Sequence, residues 1–146
     1  MYTTLVFGVV TGSAVLFVEA SAPKPLPPVV VEIDPNLGVR AKAEAFFIDN
    51  GAPEMLPIID CESNFKHYND DGTVLKNRAG SSATGIAQIL ASKHPDPKAL
   101  ERFNKRLDTN LTLETFDITK LEHNLGYALV LYELRGTRDW ECAKLI

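Results

Sequence analysis

The chain has 146 residues, 45% of them apolar and 23% charged. That is enough for one domain with an appendage, and too ordinary for wholesale disorder or a collagen-like fibre. Nineteen acidic residues against fifteen basic ones leave a net charge of −4, which argues against a chain built to neutralise nucleic-acid phosphates. Two cysteines are too few for a disulfide framework or a four-thiolate zinc site, and enough for one bridge.

The N-terminal segment reads as an export leader. From Tyr2 to Val18 there is no charge, and Leu5 to Val18 is almost wholly apolar, interrupted at Thr11, Gly12 and Ser13. Val18-Glu19-Ala20 and Ala20-Ser21-Ala22 both place small residues where a signal peptidase needs them. Pro23 hinders cleavage after Ala22, so Ala20 is the better site. The start carries no Lys or Arg. An uncleaved signal anchor is the second reading, although the run is short for a bilayer span. A buried hydrophobic helix is the third, and the prolines that follow directly argue against it. Residues 1–22 are thus expected to send the protein outside the cell or into the envelope, with membrane contact only through this leader. Pro23-Lys-Pro-Leu-Pro-Pro28 cannot continue a helix and reads as an extended spacer. Val29 to Ile33 fits either a short strand or an extended lead-in. With 23–34 as linker, the folded domain is expected over 35–146, roughly 110 residues and sufficient for a single core.

Helical patterns dominate that domain. Val39, Ala43, Phe46 and Phe47 share one helical face, and Gly51 supplies a stop. Met55, Ile58, Ile59 and Glu62 form the next stripe, with Pro57 tolerable only in the first turn of a short helix. Asp96 to Leu107 predicts a polar helix with Ala99, Leu100, Phe103 and Leu107 on one side. Thr119-Lys-Leu-Glu122 has the form of a capping box opening the last helix. That helix is apolar around most of its girth, which predicts a central, buried position, and Gly136 ends it. Between the helices, Asn69-Asp-Asp-Gly72 before Thr73-Val-Leu75 reads as a tight turn into a short strand. Gly80-Ser-Ser-Ala-Thr-Gly85 reads as a second loop. Helices flanking a small β-hairpin region make an α+β domain that is mainly α.

Glu62 is the anomaly. Its stripe partners are apolar and it closes a short helix. A carboxyl held against apolar groups, at the negative end of a helix, is expected to keep its proton more firmly. Such a carboxyl can protonate the leaving oxygen of a glycosidic bond. The plainer alternative is a Glu62 paired with Arg78, Arg138 or a lysine, or simply facing water. Asp70 and Asp71 offer no comparable second carboxylate, because turn chemistry accounts for both.

Three segments in order carry a resemblance: Cys61-Glu62-Ser63-Asn64-Phe65, then Ser82-Ala-Thr-Gly85-Ile86-Ala87-Gln88-Ile89, then Asn124-Leu-Gly-Tyr127-Ala128. Together they resemble the motifs of the lytic transglycosylase family of SLT type, with its lysozyme-like fold. The ending Gly136-Thr-Arg-Asp-Trp140-Glu-Cys142-Ala143 is similar to that of small secreted members. The resemblance spans about Ala45 to Ala143. Ala87 stands where the family usually has Met, Ala128 where it usually has Gly, and the Ala-Tyr-Asn motif of larger members is absent.

The resemblance implies a peptidoglycan lyase without cofactor or metal, acting as a monomer on glycan strands. Glu62 would be its single acid and base, cleaving the bond between N-acetylmuramic acid and N-acetylglucosamine and leaving a 1,6-anhydro end. That scheme lacks the second carboxylate of most glycosidases. Ser63 and Gln88 match motif positions that hydrogen-bond the sugar or orient the acid, with a structural hydrogen bond as the alternative for each, and Ile89 of the same segment is a candidate for substrate contact. Tyr127 and Tyr132 are candidates for substrate contact or for reaching Glu62 by hydroxyl, with core packing as the alternative. Asn124 fits a loop tie, and Trp140 either a sugar platform or core. A muramidase that uses water and a non-catalytic wall-binding protein are the rival readings.

In an exported chain Cys61 and Cys142 are expected to bridge; two buried thiols are the alternative. A catalytic Cys–His pair with His67, His94 or His123 is a third option, without a recognisable nucleophile context. His67-x-Asn69-x-Asp71-Gly72 starts like a calcium loop, but Arg78 stands at the final ligand position.

Overall fold

A computed structural model describes residues 35–145, which belong to one compact unit. The expected leader, its cleavage sites, the proline spacer and the 29–33 segment lie outside the described residues. No helix among the described residues is long and apolar enough to cross a membrane.

Among the described residues, four helices and one two-stranded sheet follow in chain order: α1 (Val39–Asp49), α2 (Met55–Ser63), β1 (Ala83–Thr84), β2 (Ile89–Leu90), α3 (Pro97–Leu107) and α4 (Leu121–Arg135), with a 3-10 turn at Cys142–Lys144. The fold is α+β and mainly α. Each helix buries the stripe its sequence sets. Val39, Ala43 and Phe47 are buried on α1, Met55, Ile58 and Ile59 on α2, and Ala99, Leu100 and Phe103 on α3. Pro57 occupies the third position of α2, where no intrahelical N–H is lost. Asp96 caps α3, its carboxylate accepting from the backbone N–H groups of Lys98 and Ala99.

Central α4 is buried from Asn124 through Leu131. Gly126 lets α3 cross it closely: a Cβ there would lie 2.4 Å from Leu107 Cδ1 and 2.7 Å from Phe103 Cε2. The expected capping box does not form. Lys120 occupies the N-cap without a side-chain cap, because the Thr119 hydroxyl donates instead to Asp117 Oδ1 at 2.6 Å.

The middle segment differs from expectation in its strands. The turn at 69–72 is present, with Gly72 N–H donating to Asn69 O and Asn69 N–H to Thr73 O. Residues 73–76 form only isolated bridges, Tyr68 with Val74 and Lys76 with Thr84. The antiparallel pair lies later, Ala83 opposite Leu90 and Thr84 opposite Ile89, so the hairpin turn is the Gly85–Gln88 segment itself.

Candidate functional site

The turn between β1 and β2 is fixed by two buried polar side chains. Asn124 of α4 accepts from Ala87 N–H at 2.9 Å and donates to Thr84 O and Ile118 O at 3.0 Å each. His67 Nδ1 accepts from Ile86 N–H at 3.1 Å, so its other nitrogen carries the proton and donates to Thr119 O at 2.7 Å. Burial holds this imidazole below its ordinary range. Gly85 is required where these meet: at φ +73°, a Cβ would stand 2.5 Å from Asn124 Nδ2 and 2.9 Å from His67 Cε1. Trp140 closes the far side, its indole N–H donating to Ala87 O at 2.9 Å. The second and third of the segments that carry the resemblance, and the Trp140 ending, are therefore joined by hydrogen bonds as well as by order.

Gln88 emerges from this turn in a left-handed conformation, φ +48°. Its amide donates back to Gly85 O at 2.8 Å. It lines a groove of about 360 Å³ together with Asp60–Asn64, Glu62 among them, and Leu75–Arg78. Glu62 is half-buried there. The stripe of buried apolar residues on α2 ends at Ile59, so the carboxyl reaches the groove rather than the core. It makes no ion pair among the described residues, and neither Arg78 nor Arg138 binds it. Its Oε1 accepts instead from the backbone N–H of Cys142 at 3.2 Å.

Cys142 is held there covalently. Cys61 and Cys142 form a disulfide, with Cα atoms 5.9 Å apart. The bridge seats the C-terminal turn against α2 beside the acid. It also removes the Cys–His option, since neither sulfur is a free thiol.

Other expected residues fall in different places. Ser63 lines the groove, but its hydroxyl donates to Ile59 O at 3.0 Å within α2. Ile89 is buried in β2 and lines a separate cavity of about 250 Å³ that Gln88 also lines. Neither tyrosine reaches Glu62. Tyr127 is fully buried, and its hydroxyl accepts from Asp96 N–H at 2.8 Å while lying 3.1 Å from His94 Nδ1. Burial, with the Arg135 charge, holds His94 below the usual imidazole range. Tyr132 donates to Glu54 Oε2 at 3.2 Å, where α2 begins and Glu62 does not lie. Trp140 is a core residue, 4% exposed, and not an open sugar platform.

One groove residue escapes the sequence. Asp60 lines the same walls as Glu62, with its side chain half exposed and 3.9 Å from Arg40 Nη1. Nothing in the apolar periodicity marks it, because it sits off the buried stripe. A wider depression of about 830 Å³ along α3 and α4 is lined by Lys98, Glu101, Arg102, Lys105, Arg106 and Glu133. It is a solvated charged face that shares no residue with the groove.

No family model, curated protein or solved structure matches the chain.

Proposed function

We propose that the protein is a peptidoglycan lytic transglycosylase with Glu62 as its acid and then its base. The observation that carries this reading is the single groove walled by Cys61, Glu62 and Ser63 of the first motif and by Gln88 of the second. A glycan laid in that groove would displace the water still reaching Glu62. Glu62 then protonates the bridging oxygen, and the C1–O bond of the muramoyl residue breaks. The neighbouring N-acetyl group of the sugar stabilises the cation that forms. The Glu62 carboxylate takes the proton of the C6 hydroxyl as its oxygen bonds to C1. The acid is restored and no water is consumed.

Asp60 favours a second reading. A carboxylate in the same groove can hold a water for attack at C1, which would make the protein a muramidase. Digestion of purified sacculi followed by mass analysis separates the two. The lyase releases anhydro-ended fragments, each lighter by one water than the hydrolysed equivalent. Glu62→Gln should release none, while Asp60→Asn should retain at least about a third of the wild-type rate, a loss below ~1 kcal/mol in barrier. Reducing-ended fragments that vanish in Asp60→Asn would establish the muramidase. Sacculus binding without any fragments, in wild type and Glu62→Gln alike, would make the chain a wall-binding protein.

A further inference from the structure

Gln88 lines two cavities. One is the Glu62 groove; the other, of about 250 Å³, lies between β2 and the end of α4. The floor of the second is apolar, formed by the buried Ile89, Leu131 and Trp140. Its rim is basic: Lys93, Arg135 and Arg138 stand against a single acidic lining residue, Asp139. Arg135 is committed, at 3.5 Å from Asp139 Oδ2 and 3.8 Å from Asp96 Oδ2. Arg138 is oriented by its Nε, which donates to Arg135 O at 2.8 Å. Neither Arg138 nor Lys93 has an ion-pair partner among the described residues. Two uncompensated cations over an apolar floor, in a chain whose net charge is −4, form a place for an anion of small size. Charge-assisted contacts made against apolar walls are stronger than the same contacts in open water.

We propose that this cavity is a carboxylate subsite, which receives the acidic peptide branch of the glycan whose backbone lies against Glu62. The proposal rests on the glycan reading given above. Because Gln88 lines both cavities, the second adjoins the groove in which the sugar strand would lie. On a peptide-bearing strand the lactyl carboxyl of each muramoyl residue is consumed in the amide to its peptide, so the free carboxylates are those of the peptide branch. Lys93 supplies a point charge and Arg138 a planar pair of donors suited to a carboxylate. Together they would make the protein select peptide-bearing stretches of the wall over bare glycan.

The test measures binding, so it does not depend on cleavage. Calorimetry on the Glu62→Gln variant compares three ligands: a GlcNAc–MurNAc tetrasaccharide with its peptides, the same with the peptide carboxylates amidated, and the tetrasaccharide without peptides and with its lactyl carboxyls amidated. The peptide-bearing ligand should bind about tenfold tighter than the other two, as expected for two charge-assisted contacts at a partly exposed site. Lys93→Gln with Arg138→Gln should abolish that difference, and Lys93→Gln with Arg138→Lys should restore part of it. Equal affinity for the three ligands overturns the proposal, as does a tenfold preference that survives the double replacement. Loss of sacculus cleavage with the preference intact would remove the enzymatic reading and leave the subsite standing.

Discussion

At Asn124 one side chain satisfies three backbone groups at once: its amide oxygen takes Ala87 N–H, and its amide nitrogen serves Thr84 O and Ile118 O. It is fully buried, so truncation leaves three backbone groups without a partner and without water. Asn124→Ala should therefore destabilise the fold by about 3 kcal/mol, the range for orphaned buried polar groups. Urea unfolding measures this, and a change below about 1 kcal/mol would show that the turn is held some other way. Asn124→Ala should also lower any activity at Glu62 in the folded fraction, because Gln88 hangs from the same turn. Glu62 is a different kind of residue. Among the described residues its carboxyl group has a single backbone donor, Cys142 N–H, and no fixed cation. Its replacement by Gln should leave the unfolding midpoint nearly unchanged while removing cleavage, which separates a chemical role from a structural one.

The elements that position these residues are stapled across the chain. The Cys61–Cys142 bridge closes a loop of 81 residues, for which chain-entropy estimates give about 4 kcal/mol of stabilisation. The paired change Cys61→Ser and Cys142→Ser should lower the thermal midpoint by about 10 °C or more. It should also weaken activity at temperatures where the fold persists, because the 3-10 turn would no longer hold Cys142 N–H against Glu62. Scanning calorimetry paired with a sacculus assay reads both, and an unchanged midpoint would show that the bridge adds nothing to the fold. The helices that carry this arrangement are legible in the sequence because each buries a long apolar stripe: Val39, Ala43 and Phe47, or Met55, Ile58 and Ile59. The strands are not. Ala83–Thr84 and Ile89–Leu90 are two residues each, too short to show a period of two. Partner choice among polar groups is hidden for a related reason. Thr119 has the spacing of a helix cap, but Asp117 takes its hydroxyl. Tyr127 has the look of a site residue, but Asp96 and His94 take its hydroxyl in the interior. Asp60 reaches the groove from a helix face that hydrophobic periodicity leaves blank.

Over the whole molecule, stability should fall in two stages as pH drops. His67 and His94 are held below the ordinary imidazole value of 6.5, both chiefly by burial. Between that value and their lowered folded values, the unfolded chain binds protons that the folded chain refuses. Their contribution is complete above about pH 6.5 and is lost as pH falls through the folded values. Asp71, Asp96 and Asp117 are held below the ordinary 3.8 by hydrogen bonds, chiefly from the Thr73 hydroxyl, the Ala99 N–H and the Thr119 hydroxyl. Their contribution is lost only below about pH 3.8, by the same sign. The first stage has a local consequence. A proton on His67 Nδ1 would set one N–H against another, that of Ile86, so the turn that carries Gln88 is the first structure to lose a bond. Melting curves at pH 7.5, 5.5 and 3 should show the two stages. Amide exchange at Ile86 and Ala87 should accelerate between pH 7.5 and 5.5, relative to amides in the middle of α4, once the intrinsic effect of pH on exchange is divided out. A midpoint that is flat from pH 7.5 to 5, with protection at Ile86 unaltered, would mean that His67 accepts its proton without disturbing the turn, and that the groove keeps its shape into acid.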